Sequence, residues 1–129
     1  MLPPDDHDYL QAMAPSHMVS LDGGMINVVI PSFPLPAGFT LGASDLLLRL
    51  SAGYPDVPPD MWWFEPAVRR VDGQTIAATE SQEAHLGRTW QRWSRHLQPG
   101  QWRSGIDSIE SYLALVRKEL DAAAMARAA

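Results

Sequence analysis

The segment Tyr54-Pro55-Asp56-Val57-Pro58-Pro59 limits the fold of this chain more than any other. It holds three prolines in six residues. Each fixes φ and removes a backbone donor, so the segment cannot lie inside a helix or a central strand. It makes a stiff, extended connection instead. The aromatic block Met61-Trp62-Trp63-Phe64 follows at once and reads as a buried strand, Met61 to Glu65.

The flanking sequence supplies more strands. Val19 to Leu21 and Met25 to Ile30 surround Asp22-Gly23-Gly24, a hairpin signal because its residues tolerate positive φ. Pro31, Pro34 and Pro36 are expected to hold the next stretch out of a regular ladder. Asp45 to Leu50 predicts a strand, and its Leu46-Leu47-Leu48 run implies burial on both faces. Before these, Asp5 or Asp6 is placed to cap a short helix through Tyr9, Leu10 and Met13 that stops at Pro15.

At the other end Ile106, Ile109, Leu113, Val116 and Leu120 form one apolar stripe at helical spacing. Ser104 is the expected N-cap, with Asp107 in the first turn. The alanine-rich stretch 122–129 has little to bury and is expected to fray. Between Ala67 and Gln101 the pattern is weak. Thr79 to Gln91 has room for a helical turn, and Trp90 and Trp93 argue for order there. The expected fold class is therefore α/β (α+β): an antiparallel four-stranded meander between a short N-terminal helix and a long C-terminal helix.

The chain has 129 residues, which fits a single domain, 1–129. Apolar residues make up 46%, enough for a core without disulfides. There is no cysteine, which removes disulfides, thiolate metal sites and a cysteine nucleophile together. The net charge of −5 argues against general binding to nucleic acid or anionic lipid. No apolar run is long enough to span a bilayer. The first residues, Met1-Leu2-Pro3-Pro4-Asp5-Asp6, carry neither the basic nor the apolar region of a signal peptide, so a cytoplasmic location is expected.

A short helix, an antiparallel meander, a Tyr-Pro-x-x-Pro-Pro bend, an irregular stretch and a terminal helix resemble, in that order, the ubiquitin-conjugating (UBC) superfamily. The chain looks closest to a bacterial branch of it. The likeness runs from about Met25 onward. In that family the catalytic cysteine precedes a tryptophan by eight residues. Trp102, followed by Arg103-Ser104-Gly105-Ile106, matches that tryptophan, and the position eight residues before it is Ser94. The family's His-Pro-Asn motif is absent. His85 is the nearest histidine, followed by Leu86-Gly87, so the oxyanion asparagine has no counterpart.

The resemblance implies a conjugating enzyme for a ubiquitin-like protein. Its partners would be that protein, an adenylating activating enzyme and a JAB-type peptidase of the same pathway, with a defence or stress role. It implies no metal and no organic cofactor. Ser94 would accept the acyl group as an oxyester. A hydroxyl is a weak nucleophile and needs a base. In an extended strand His96 shares a side with Ser94, which makes it the first candidate base. His85 is the second, as a shaping residue. Arg88, Arg92 and Arg95 lie in a stretch from His85 to Trp102 without one acidic residue, and Arg103 extends it. They form an expected basic patch for an oxyanion, an anionic tail or an acidic partner surface. Trp93 and Trp102 are candidate walls of the substrate groove.

A binding module is the rival: a member of the fold without the cysteine that holds a ubiquitin-like protein for another enzyme. Duller explanations also exist. Loop histidines are more often satisfied than catalytic, arginine runs are usually solvated, and tryptophans usually line cores. Alternating Trp and Arg from Trp90 to Arg95 also suits single-stranded nucleic acid, which the overall charge disfavours.

Overall fold

The computed structural model describes residues 2–126. Helix α1 (Pro4–Met13) comes first, then strands β1 (Met18–Asp22), β2 (Met25–Pro34), β3 (Ala43–Leu50), β4 (Trp62–Glu65), β5 (Gln82–His85) and β6 (Arg88–Trp93), then helix α2 (Ile109–Met125). The strands form one antiparallel sheet in the order β1-β2-β3-β4-β6-β5. The α+β class and both helices are as expected, but the sheet has six strands rather than four.

The two extra strands occupy the stretch where Thr79 to Gln91 was given a helical turn. Strand β5 carries no apolar signal because none of its residues is buried, and β6 carries no alternation because it is buried on both faces. Trp90 packs on one side and Gln91 and Trp93 on the other, which erases the alternation that marks a half-buried strand. Their connection is a two-residue turn, Leu86-Gly87, in which both residues have positive φ (55° and 72°), as primed hairpin turns require. Leucine is an uncommon residue at such a position.

Two apolar clusters lie on the two faces of the sheet. The larger joins Val28, Ile30, Leu46, Leu48, Trp62, Phe64 and Trp93 to Leu10 of α1 and to Ile109, Leu113, Val116 and Leu120 of α2. The smaller, on the other face, contains Val29, Leu47, Trp63 and Trp90. Leu46, Leu47 and Leu48 are all fully buried, as their unbroken run implied.

Several boundaries differ from expectation. Strand β2 continues through Pro31 to Pro34, because a bulge between Ile30 and Phe33 lets the prolines stay in the strand. Pro4 occupies the first turn of α1, so neither Asp5 nor Asp6 is its N-cap. Helix α2 starts after Ser108 rather than Ser104, with Ser111 Oγ accepting the Ser108 N–H at 2.9 Å. Asp107 lies before it, and Ile106 is 66% exposed, so both fall outside the helix and Ile106 outside its apolar stripe. The alanine-rich end is helical through Met125, with Ala123 buried. Arg70 Nη1 donates to the Ala123 carbonyl at 2.9 Å and also to that of Ala126. This cap holds an end whose own side chains bury little. Residues 127–129, part of the expected frayed tail, lie outside the described residues.

Candidate functional site

The proline bend and Trp102 form one structure. The Trp102 indole donates to the Pro55 carbonyl at 2.9 Å, and its ring lies 6.1 Å from that of Tyr54 and 6.4 Å from that of Tyr112. The bend is thereby fastened to α2. A shallow cavity of about 400 Å³ opens beside Trp102, walled by Pro58, Leu97 and Gln98.

Ser94 stands where β6 ends. Its neighbour Trp93 is fully buried against Trp62 and Phe64 (ring distances 6.3 and 5.8 Å), so strand alternation sends Ser94 to the opposite face. Ser94 N–H donates to the Ala78 carbonyl at 3.0 Å, and the Arg95 carbonyl accepts from Met61 N–H at 3.1 Å. Ala78 and Met61 both have positive φ (57° and 61°). Non-glycine residues hold this conformation at a cost, and such strain gathers at functional sites. Here it brackets Ser94.

The Ser94 hydroxyl is half-buried, and its Oγ accepts a hydrogen bond from Arg92 Nε at 3.1 Å. Arg92 Nη1 pairs with Glu83 at 2.7 Å. Glu83 also accepts from the Trp63 indole and from His85 Nε2, each at 3.0 Å. Burial pushes the Glu83 carboxyl up. The donors His85, Trp63 and Arg92 outweigh it and hold the group below the usual carboxylate range. Glu83 thus sets the Arg92 side chain that meets Ser94. The sequence reading missed it, because only a recognised β5–β6 hairpin would have put Glu83 beside Arg92.

Neither histidine hydrogen-bonds Ser94. His85 sits at the hairpin turn opposite Arg88, six residues and roughly 20 Å along β6 from Ser94. Its ring stands edge-on to Trp63, and it reaches Ser94 only through Glu83 and Arg92. His96 donates from Nδ1 to Asp60 at 2.7 Å, and its side chain is 60% exposed. Asp60 was not foreseen either.

The expected basic patch is locally neutralised. Arg88 pairs with Asp45 and Glu65 and lies over the Trp90 ring at 4.4 Å. Arg95 pairs with Glu119 of α2 at 2.9 Å. The acids come from other elements, which a count along one stretch of chain does not register. Arg103 is exposed and makes no ion pair among the described residues. Trp93 faces the core, so direct contact with a substrate is closed to it, whereas Trp102 is half-buried at the cavity.

A family model described as prokaryotic E2 family E matches residues 2–123. The chain belongs to prokaryotic E2 family E. No curated protein and no solved structure matches it. The chain has no cysteine, and at the end of β6 a hydroxyl, that of Ser94, meets an arginine. Among the described residues no three His, Asp or Glu side chains converge as a cation site requires, and no helix is long and apolar enough to cross a membrane.

Proposed function

We propose that this E2-family chain is an acyl carrier of UBC type. Ser94 receives the C-terminal acyl group of a ubiquitin-like protein from an activating enzyme and passes it to an amine. The contact between Arg92 and the Ser94 oxygen carries this reading. A cationic donor on a hydroxyl oxygen favours the deprotonated form and steadies charge that develops during acyl transfer. His96 is the base. Its Nδ1–H is taken by Asp60, so Nε2 holds the free lone pair. The two residues meet in the loaded complex, since catalytic hydrogen bonds often tighten only there. The Ser94 oxygen attacks the activated carbonyl, and a C–O bond forms as the bond to the activating enzyme breaks. The hydroxyl proton goes to His96 and then to the leaving group. An incoming amine reverses the sequence: a C–N bond forms, the C–O bond breaks, and Ser94 recovers a proton. Trp102 and its cavity, with Arg103, guide the extended tail. A JAB-type peptidase is a further partner in the same pathway.

A second reading has its own support. The Arg92 charge is shared with Glu83, and among the described residues no base hydrogen-bonds the Ser94 hydroxyl. This favours a binding module that holds the ubiquitin-like protein without a covalent bond. Incubation with the cognate activating enzyme, ATP and the ubiquitin-like protein separates the two. An adduct that resists thiol, yields to hydroxylamine and disappears in Ser94→Ala supports the carrier. Tight binding with no adduct supports the module. Ser94→Cys should turn the adduct thiol-labile.

A further inference from the structure

A carrier that holds an activated ester must keep it from its own amines. Lysine is the side chain that endangers it, because its ammonium loses a proton readily enough to attack a carbonyl. The arginine guanidinium stays protonated and does not. Lys118 is the single lysine among the ten Lys and Arg residues of this chain. The cationic side chains that hydrogen-bond Ser94, Arg92 to its Oγ and Arg95 to its carbonyl, are both arginines. Lys118 is exposed on α2, which packs on the face of the sheet that carries Trp93. Ser94 points to the other face.

We infer that the site withholds amines from Ser94, with Arg92 as the residue that makes the ester last until an external acceptor arrives. This rests on the carrier reading above. Arg92 supplies the donor and the positive charge at 3.1 Å without supplying a nucleophile. A lysine there has one more carbon where Arg92 has Nε. Its Nζ therefore falls within about one bond length of the atom that now touches Ser94 Oγ. From there it attacks the Ser94 ester. A C–N bond forms, the C–O bond to Ser94 breaks, and the proton released by nitrogen goes to Oγ. The product is an isopeptide on the chain itself.

Loading of wild type, Arg92→Lys, and Arg92→Lys with Ser94→Ala tests this, each treated with hydroxylamine and mapped by mass spectrometry. The wild-type adduct should be cleaved completely, with Lys118 unmodified. Arg92→Lys should convert at least half of its adduct to a resistant form at position 92, and the double variant should form none. Ser81→Lys, beside Arg92 and just before β5 (Arg92 Nη2 to Ser81 Oγ, 3.4 Å), repeats the test with Arg92 intact if the first variant melts early. A wild-type ester with an Arg92→Lys ester equally cleavable and long-lived overturns this inference and leaves the carrier reading standing. So does a wild-type adduct that moves to Lys118. Absence of any Ser94-dependent adduct overturns both.

Discussion

Asp6 caps a helix other than its own: its Oδ1 accepts the N–H of Ile109, at the first turn of α2, at 3.0 Å. Its Oδ2 accepts the Tyr54 hydroxyl at 2.6 Å, and the carboxylate is almost wholly buried. One group thus ties α1, the proline bend and α2 together, with negative charge at the positive end of the helix. Asp6→Ala takes from a buried phenol and a buried N–H the carboxylate that accepts from both. The expected loss is roughly 2–4 kcal/mol, or about 8–15 °C in melting temperature. Asp6→Asn, which retains one acceptor, should lose less. Thermal melts of the two variants check this, and equal losses would count against the cap.

The same bond sets an alkaline limit. Burial, with the hydrogen bond to Asp6 and its charge, raises the Tyr54 phenol well above its usual value. A raised folded value gives stability that is complete below the unfolded value, near pH 10, and lost as pH rises beyond it. Wild type should weaken above about pH 10. Tyr54→Phe should be less stable at neutral pH, and its deficit should shrink as the solution becomes alkaline. Denaturant titrations across that range measure both slopes.

Glu83 sets an acid limit. Its carboxyl is held below the usual range, so its contribution is present above the unfolded value of 4.5 and lost as pH falls through the folded one. Glu83→Gln should cost on the order of 1 kcal/mol near neutrality, and the gap to wild type should close in acid. The variant should also load Ser94 more slowly, because Arg92 loses its anchor. A constant gap from neutral to acid pH would remove Glu83 from the ion pair.

Trp102 joins the bend to α2 by an indole hydrogen bond and two ring contacts. Trp102→Phe should cost about 1 kcal/mol, the scale of one hydrogen bond, and Trp102→Ala about 3 kcal/mol. Chemical denaturation of both variants separates the bond from the packing.

Arg70 should matter for one end of α2 alone. Arg70→Ala frees the carbonyls of Ala123 and Ala126, and amide exchange near Ala123 should rise severalfold while that at Leu113 stays unchanged.

Much of this architecture was legible in the chain. The proline bend, the Asp22-Gly23-Gly24 hairpin and the double burial of Leu46 to Leu48 are local signals, and the structure carries each of them. So is the stripe Ile109, Leu113, Val116 and Leu120. Its start was misplaced because Ser104 and Ser108 are the same residue type and Ile106 fits the spacing, whereas the later serine is favoured by its capping box with Ser111 and by the contact of Asp6 with Ile109. Strand β6 was hidden because Trp90 and Trp93 bury opposite faces, and β5 because none of its four residues is buried. The site was legible at Ser94 and Arg92 but not at Glu83 or Asp60. Asp60 lies 36 residues before the histidine it meets, and Glu83 meets Arg92 across a hairpin that the sequence did not announce.

Trp93 is clamped between Trp62 and Phe64, and Ser94 is the next residue in the chain. A cargo attached at this point would be bolted to a strand end anchored in the core rather than to a swinging arm. Any travel between donor and acceptor then has to come from the cargo's own tail or from the whole carrier changing partners.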